Sequence, residues 1–478
     1  MSGLPPLQNT WVSEDPASPT RGGFVSTRKI TPLSGFPEFL PGDRLVELQV
    51  IDALRTTFEL HGFSSVETRA VEPIERLTDK GEDADNEIYA LSRLTAGADD
   101  DESRLGLHFD LTVPFARYVL ENAGRLTFPF RRYQIQKAWR GERPQDGRFR
   151  EFCQADIDVV AAGDLPLHYE SELPLVVMDA LAELPMPPYA IHTSNRKIAE
   201  GFYAGLGLTD TVGVLRIVDK LDKIGPDGVR ARLLDSGATP AQADACLALA
   251  EIRTADASFV DAVRSLGVAN EVLEEGLAEL AEVVTTCART RPGVLVADLR
   301  IARGLDYYTG TVYEILLSDY PSYPAVGSGG RYDRLASDGR TSYPGIGLSV
   351  GVTRLVAKLL AEGLIGISRP TPTCVLVAVA DEVARVDALA VAAQLRGRGI
   401  AAEVSPSAAK FGRQIRYADR RGIPFVWFTG AGPDGGDQVK DIRSGDQVDA
   451  DADGWRPPDA DLAPRLVPGP RPADPAAT

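Results

Sequence analysis

The sequence predicts an α+β protein: an antiparallel β-sheet domain flanked by helices, a helical insertion within that domain, and a C-terminal α/β domain. Three observations carry this prediction. Strand-like runs alternate with a helix between Gly106 and Val160, whereas apolar spacing is helical from about residue 195 to 290. After the linker Arg369–Pro372, short strands and helices alternate, which is typical of an α/β unit.

The N-terminal elements follow from apolar spacing and end signals. Leucine, isoleucine and phenylalanine recur every three or four residues between Pro41 and His61, so a helix is expected there, ended by Gly62. An extended segment starts at Ser65. A second helix begins near Thr112, because Pro114 fits a first helical turn.

The later elements are predicted from the same signals. In the insertion we expect helices at Arg196–Gly205, Leu215–Lys223, Ala241–Ile252 and Asn270–Cys287. Strands return from Leu295 to Leu317. The last domain should alternate strand and helix in five elements: Cys374–Val379, Val383–Arg396, Ile400–Val404, Phe411–Arg421 and Phe425–Phe428.

These elements divide the chain into six segments. The first segment is rich in proline, serine and glycine, so it is expected to be mobile. The last segment is rich in proline, aspartate and alanine, so it is expected to be disordered. The predicted boundaries are a mobile lead (1–28), the sheet domain's first part (29–194), the helical insertion (195–292), the sheet domain's second part (293–366), the C-terminal α/β domain (372–450) and a disordered tail (451–478).

Composition excludes several classes of protein. The 478 residues contain no apolar run near the roughly 18 to 20 residues that span a bilayer, and the N-terminus lacks a signal-peptide pattern, so a cytoplasmic location is expected. The four cysteines and four histidines show no metal-ligand spacing. Neither a disulfide framework nor a zinc or other protein-held structural metal site is therefore expected. No G-x-S-x-G motif supports triad hydrolysis.

The charge distribution is uneven. A net charge of −17 argues against indiscriminate nucleic-acid binding, because affinity for a polyanion comes from cations. From Arg125 to Glu151, however, eight basic residues face three acidic ones, so a locally basic surface is expected. A simple solvated surface is the alternative interpretation of this cluster.

The segment Ala302–Glu314 has the composition of a small-molecule pocket. Arg303 offers a rigid cationic fork, two glycines permit close backbone approach, and Tyr307 and Tyr308 offer flat faces with hydroxyl tips. The segment leads into a buried strand at Thr311. A ligand that carries both charge and a ring would fit this combination.

A second candidate surface lies on the strand that ends near Asp158. Alternate residues of a strand share one face, so Phe152, Gln154, Asp156 and Asp158 point the same way. An amide and two carboxylates on one face need polar partners if they are buried. Either a bound polar ligand or solvent meets this face.

Taken in order, these and other segments resemble the motifs of class II aminoacyl-tRNA synthetases, and of the histidyl-tRNA synthetase family in particular. The Trp139-Arg140-x-Glu142 strand with its basic loop is similar to motif 2, and Pro344–Leu355 to motif 3. The helix and strand from Pro41 to Thr68 resemble motif 1, the dimer element. Three further matches are Leu107–Pro114, Ala302–Glu314 and Gly329–Asp333, and the ordered set spans about residues 30 to 450.

The resemblance implies histidine activation by ATP, followed by transfer of histidine to the 3′ end of its tRNA. Arg140 would bind the α-phosphate and the attacking carboxylate, and Arg303 would lie beside the α-phosphate. Mg²⁺ is expected with ATP. The implied ATP-binding residues are Arg140, Glu142, Phe152 and Arg354.

The resemblance also assigns the amino-acid pocket. Asp158 and Tyr308 would bind the two imidazole nitrogens, and such a hydrogen-bonding pocket rejects apolar competitors without an editing domain. The implied histidine-binding residues are Asp110, Thr112, Gln154, Asp158, Tyr307, Tyr308 and Tyr332.

The implied partners are ATP, L-histidine, tRNA and a second copy of the chain, with no membrane. Residues 372–450 resemble an anticodon-binding domain. The residues expected to contact tRNA are basic and lie in two groups: Arg143, Arg148 and Arg150, then Lys410, Arg413, Arg416 and Arg420.

Two rival interpretations keep the fold but not the activity. A regulatory subunit of ATP phosphoribosyltransferase would sense histidine, and an RNA-binding scaffold would need no ATP site. The retained arginines argue against both interpretations. The C-terminal domain also argues against the first, the regulatory subunit. Two residues depart from the family pattern: His108 replaces a usual arginine or lysine, and Arg69 a usual proline.

Overall fold

The computed structural model describes residues 31–78, 87–93, 105–301, 308–337 and 339–469. The elements below belong to a compact unit that begins at Ser34. Its first part contains helices α1 (Pro41–Leu60), α2 (Ile74–Thr78), α3 (Thr112–Asn122) and α4 (His168–Ala182). The strands of this part are β1 (Ser64–Ser65), β2 (Val71–Pro73), β3 (Ala90–Leu91), β4 (Leu105–Leu107), β5 (Phe130–Trp139), β6 (Glu151–Val160) and β7 (Tyr189–Asn195).

The middle of the chain is mainly helical, as the sequence predicts. Its elements are α5 (Arg196–Gly205), α6 (Thr211–Val218), α7 (Leu221–Asp235), α8 (Pro240–Ala250), β8 (Arg253–Thr254), α9 (Phe259–Ser265), α10 (Glu271–Thr290) and β9 (Leu295–Asp298). The expected single helix Leu215–Lys223 is wrong, because α6 ends at Val218 and α7 begins three residues later.

The remaining elements complete the sheet domain and form the C-terminal domain. The first group is β10 (Thr311–Leu317), β11 (Gly327–Ser337), β12 (Ser342–Gly351), α11 (Val352–Ala361) and β13 (Ile365–Ile367). The second is β14 (Val375–Ala378), α12 (Arg385–Gly397), β15 (Ala402–Val404), α13 (Phe411–Arg421), β16 (Phe425–Phe428), β17 (Asp437–Asp441), β18 (Gln447–Ala450), α14 (Asp459–Leu462) and β19 (Leu466–Pro468).

A nine-stranded sheet organises the sheet domain, in the order β1-β5-β6-β12-β11-β10-β7-β9-β8. Its pairs are antiparallel except β1 with β5 and β7 with β9, which confirms the predicted antiparallel architecture. Strand β8 comes from within the helical segment, so that segment contributes to the same sheet. The C-terminal domain has its own five-stranded sheet, in the order β15-β14-β16-β17-β18.

The two faces of strand β6 have different neighbours. Ala155 and Ile157 point into a core shared with α1, α4 and α11, where Leu54 and Leu355 are fully buried. The pleat therefore turns Asp156 and Asp158 to the opposite face. Helix α3 packs on part of that face through Val113 and Phe115, and the polar side chains of β6 lie beside it.

The prediction of disorder from residue 451 onward is wrong for residues 451–469. Trp455 packs edge-on against Trp427 at a ring separation of 5.6 Å, and α14 follows it. Strand β19 then pairs with β13 of the sheet domain. The proline- and aspartate-rich composition suggested disorder, but apolar anchors, led by Trp455, fix this segment.

Candidate active site

Two adjoining pockets lie on the face of the sheet that carries Asp156 and Asp158. We call the first the arginine pocket: a cavity of about 70 Å³ whose lining includes Arg140, Glu142, Phe152, Gln154 and Arg354. Among the residues implied by the family resemblance, these comprise all four ATP-binding residues and one histidine-binding residue.

Strand ends and helix starts place the two arginines. Arg140 follows the end of β5, where its Nε donates to the carbonyl oxygen of Phe109 at 3.0 Å and its guanidinium lies 5.0 Å from the Phe152 ring centre. Arg354, in the first turn of α11, donates to the carbonyl oxygens of Gly147 and Ala325. Carbonyl partners orient the guanidinium groups without neutralising them.

Burial and the nearby charge of Arg140 lower the pKa of Arg354. No carboxylate of the described residues lies within 4 Å of its guanidinium, and Glu87 stands 4.0 Å from Arg140. Arg140 and Arg354 thus lie in one small pocket, where their positive charges repel each other. An anionic ligand such as a polyphosphate would relieve this repulsion.

The loop between β5 and β6 is held by its own contacts. Arg148 pairs with Glu142 at 3.1 Å, and the Arg150 Nε donates to the Glu142 carbonyl at 3.2 Å. Arg143 is exposed on this loop. Of the three loop arginines predicted to contact tRNA, Arg143 and Arg148 therefore present their side chains to solvent.

We call the second cavity the carboxylate pocket. It measures about 20 Å³ and is lined by Thr112, Asp156, Asp158, Tyr308 and Tyr332, among others. Ser328 and Ser349 line both cavities, so the two pockets meet at these serines. Four of the residues implied for histidine binding are brought together here: Thr112, Asp158, Tyr308 and Tyr332.

Asp158 is the most constrained side chain of the carboxylate pocket. Its Oδ1 accepts from the Tyr332 hydroxyl at 2.6 Å, and the Arg132 guanidinium lies 2.6 Å from its Oδ2. Burial raises the pKa of Asp158, although Arg132 and Tyr332 act in the opposite direction. Gly347 leaves the necessary space, since a Cβ there would overlap the Asp158 carboxylate.

Gln154 and Asp110 are placed at the pocket margin. The Gln154 Nε2 donates to the Ser349 hydroxyl at 2.8 Å, while its buried Oε1 finds no hydrogen-bond partner in the described part of the chain. Asp110 accepts from the Val113 amide at 3.1 Å, and burial raises its pKa. Asp110 is buried just before Thr112 but does not itself line the small cavity.

Sequence reasoning missed Arg132, Ser349 and a role for Asp156. Arg132 was counted with the surface cations, yet its side chain is fully buried. The β5–β6 register pairs Arg132 with Asp158 and Ala138 with Phe152. Pairing the two strands residue by residue, starting from the predicted turn, would have put Arg132 opposite Asp158 and so predicted its position in the site. Arg303 and Tyr307 lie outside the described residues.

The two departures from the family pattern have local explanations. The His108 Nε2 hydrogen bonds to the Lys137 carbonyl oxygen at 2.7 Å, and its ring lies 5.5 Å from that of Trp139. Arg69 pairs with Glu72 at 2.9 Å. Both side chains therefore make contacts within the sheet domain.

A basic row follows one side of helix α13. Gln414 and Ala418 are the buried residues of this helix, and Gln414 hydrogen bonds to both backbone groups of Val379. The predicted tRNA-contacting residues occupy the exposed side, in or just before the helix: Lys410, Arg413, Arg416 and Arg420.

Two further findings concern the described residues only. No cluster of three or more His, Cys, Asp or Glu side chains that could hold a metal ion occurs among them. None of their helices is long and apolar enough to cross a membrane.

The fold and the paired pockets define a class II aminoacyl-tRNA synthetase: an antiparallel sheet in which the β5–β6 hairpin and the β12–α11 unit each direct an arginine to one pocket. A family model described as histidyl-tRNA synthetase matches residues 35–355. A second, described as an anticodon binding domain, matches residues 373–453. The chain belongs to the histidyl-tRNA synthetase family.

Relatives and solved structures agree with this assignment. A histidine–tRNA ligase of Micrococcus luteus is 58% identical over 450 residues, which cover 91% of this chain and 98% of the relative. One from Cutibacterium acnes is 57% identical over 450 residues, covering 92% and 99%. The crystal structure of histidyl-tRNA synthetase from Nostoc sp. PCC 7120 superposes with a TM-score of 0.78 at 33% identity, covering 89% of this chain and 98% of the other.

A more distant structure shows that the fold is shared more widely. It is an ATP phosphoribosyltransferase regulatory subunit/histidyl-tRNA synthetase from Bacillus halodurans C, with a TM-score of 0.69 at 18% identity, covering 84% of this chain and 99% of the other. At this identity the likeness concerns the fold alone. The activity must therefore be argued from the site and from the closer relatives.

Proposed function

We propose that the chain is a histidine–tRNA ligase that activates histidine with ATP and then transfers it to the 3′ end of its tRNA. The observation that carries this proposal is the junction of a cationic and an anionic pocket at Ser328 and Ser349. A substrate whose carboxylate meets the cationic pocket and whose ammonium and imidazole groups meet the anionic pocket can bridge them.

Activation requires two anions to approach each other. The histidine carboxylate attacks the α-phosphorus of ATP, the new C–O–P bond forms, and pyrophosphate leaves. Arg140 binds both the α-phosphate and the attacking carboxylate, while Arg354 and Phe152 enclose the adenine and Glu142 helps to hold the nucleotide. Fixed cations in a small pocket stabilise the developing charge more than water can.

Arg303 is proposed as a further cation beside the α-phosphate. Mg²⁺ is proposed to arrive bound to ATP, where it neutralises phosphate charge. Glu142 is the one carboxylate lining the arginine pocket in the described part of the chain, and one of its oxygens is engaged by Arg148. This donor set fits a cation carried in by ATP better than one held by the protein.

Histidine is proposed to bind with its imidazole between Asp158 and Tyr308. Tyr307 and Tyr332 complete this end, and Asp110, Thr112 and Gln154 bind the ammonium end. The Tyr332 hydroxyl and Arg132 fix the orientation of the Asp158 carboxylate. Substrates that lack ring nitrogens would leave these buried groups unpaired, which disfavours them.

We also propose a cytoplasmic homodimer that uses α1 and β1. A groove of about 670 Å³ runs beside these elements, and its lining includes Leu48, Ile51 and Tyr133. Leu48 is exposed on α1 despite its apolar side chain. Light scattering should give twice the chain mass of 51.4 kDa, and a monomeric mass would contradict the assembly.

In the transfer step a ribose hydroxyl at the tRNA 3′ end attacks the activated histidine carbonyl, and AMP leaves. The loop carrying Arg143, Arg148 and Arg150 is proposed to contact the acceptor end. The row Lys410, Arg413, Arg416 and Arg420 is proposed to contact phosphates near the anticodon.

Changing Arg413, Arg416 and Arg420 together to glutamate should raise KM for tRNA about 10-fold or more and weaken its salt dependence, because phosphate contacts carry the binding. Pyrophosphate exchange should stay within about twofold, since no residue of α13 lines either pocket. Arg456→Glu, exposed outside α13, is the matched control. Equal aminoacylation by the triple variant and this control would contradict the tRNA assignment.

Histidine-dependent exchange of pyrophosphate into ATP tests the proposed function. Wild-type protein with MgATP should catalyse exchange with histidine and not with the other amino acids, and it should charge tRNA. Histidine binding without exchange would instead support a regulatory subunit. Binding of RNA with neither activity would support a scaffold.

A further inference from the structure

Asp156 lies between two residues already placed in the site. It is central on β6, two residues from Gln154 and two from Asp158, and its exposed fraction is 3%. The register places it opposite Ser349 on β12. Asp156 therefore lies where the two pockets meet, in direct reach of a ligand that bridges them.

The hydrogen bonds around Asp156 leave two acceptors facing no donor. The Gln154 Nε2 donates to the Ser349 hydroxyl, which in turn hydrogen bonds to the Asp156 carboxyl. The Gln154 Oε1 and the Asp156 Oδ1 then remain buried without a hydrogen-bond partner in the described part of the chain. Buried acceptors of this kind need a donor, and a ligand can supply one.

The local charges favour a cationic donor. Asp110, Asp156 and Asp158 are all buried here, and Arg132, the buried cation beneath them, contacts Asp158. The pKa of Asp156 is raised to about 7, chiefly by burial; Arg132 lowers it, and the neighbouring Asp158 adds to the rise. One more positive charge would allow all three carboxyl groups to ionise.

We propose that Asp156 is a further histidine-binding residue, whose Oδ1 accepts a hydrogen bond from the α-ammonium group together with the Gln154 Oε1. This inference rests on the proposed function and adds a third acidic residue to its amino-acid pocket. Asp158 is left for the imidazole, because Arg132 and Tyr332 hold its two oxygens in place.

Two histidine analogues separate this role from a structural one. Histidinol keeps the ammonium group and lacks the carboxylate, whereas 3-(imidazol-4-yl)propanoate keeps the carboxylate and lacks the ammonium. In Asp156→Asn, calorimetry should show histidinol binding about 10- to 100-fold weaker, because a hydrogen bond to a charged partner is lost. Binding of the propanoate should change by less than about threefold, since it offers the residue no donor.

The matched control is Asp164→Asn, which removes one carboxylate from an exposed position. It should leave both affinities unchanged. Equal weakening of both analogues in Asp156→Asn would show a structural role and overturn the proposal, as would unchanged histidinol binding. Wild-type protein that binds histidinol but shows no histidine-dependent exchange would instead contradict the proposed function, so the two failures are distinguishable.

A pH profile provides a second measurement on variants that fold. The groups facing Asp156 or its carboxyl neighbours are Asp110, Asp158, Arg132, Arg140, His108, Tyr308 and Tyr332. The ammonium group of the ligand binds the ionised form of Asp156. The ratio of the histidinol affinity of the wild type to that of Asp156→Asn should therefore be largest at pH 8. The ratio should shrink as pH falls through about 7. A ratio that does not change with pH would also overturn the proposal.

Discussion

Replacing Arg140 with alanine is expected to lower kcat/KM for histidine-dependent pyrophosphate exchange by about 10²- to 10³-fold. The guanidinium is held at the pocket by the Phe109 carbonyl and lies over Phe152, so its charge is fixed before substrates arrive. A fixed cation stabilises the transition state without reorganisation, and truncation removes it outright. Steady-state exchange with varied ATP and histidine measures the loss.

Arg140→Lys should recover little of this activity. An ammonium group keeps the charge but cannot present two parallel N–H donors to a phosphate or carboxylate. Arg125→Ala removes an exposed arginine from the same basic stretch and should retain wild-type exchange. Activity of Arg140→Ala within threefold of wild type would refute the assigned role, and full recovery by lysine would show that charge alone matters.

The two pockets explain why the reacting groups meet where they do. The cations Arg140 and Arg354 lie on one side of Ser328 and Ser349, and the buried carboxylates on the other. Histidine has complementary groups: a carboxylate that suits the cations, and an ammonium group and an imidazole that suit the carboxylates. In the proposed complex, these charges would favour the orientation that brings the carboxylate of histidine to the α-phosphate.

The sequence predicted much of this arrangement because the relevant signals are local. Alternation along β6 placed Phe152, Gln154, Asp156 and Asp158 on one face, and the structure puts all four at the pockets. Helix α13 and strand β16 begin and end at the predicted residues. The spacing of apolar residues, together with the residues that begin or end an element, is sufficient to predict elements of this kind.

The missed features depend on contacts between distant segments. Arg132 is buried because β5 pairs with β6 and because helix α3 covers it with Phe115, whose ring centre lies 4.2 Å from its guanidinium. The ordered tail depends on Trp455 reaching Trp427 and on β19 reaching β13. Composition describes neither kind of contact, because both require the tertiary fold.

Arg132→Met is expected to destabilise the folded protein by about 3–5 kcal/mol at pH 8, the effect of removing one partner from a buried ion pair. Arg132 is fully buried, donates to Gln134 at 2.9 Å and lies 2.6 Å from the Asp158 carboxylate. Methionine fills much of the same space but leaves that carboxylate without its cation. Urea unfolding followed by circular dichroism measures the change.

The destabilisation should depend on pH with a definite sign. Burial already raises the pKa of Asp158, and loss of Arg132 would raise it further. A carboxyl group whose folded pKa is raised contributes stability below its unfolded pKa and loses it as pH rises through the folded pKa. The difference between wild type and Arg132→Met should therefore be largest at pH 8 and shrink toward pH 5.

Arg131→Met is the matched control, since Arg131 is the next residue on β5 and its partner Glu172 is partly exposed. Its loss should cost about 1 kcal/mol or less and show little pH dependence. Adding Asp158→Asn to Arg132→Met should restore part of the lost stability, because the unpaired charge is then gone. If the double variant loses the sum of the two single effects, the pair is not coupled and the buried-cation account of the carboxylate pocket fails.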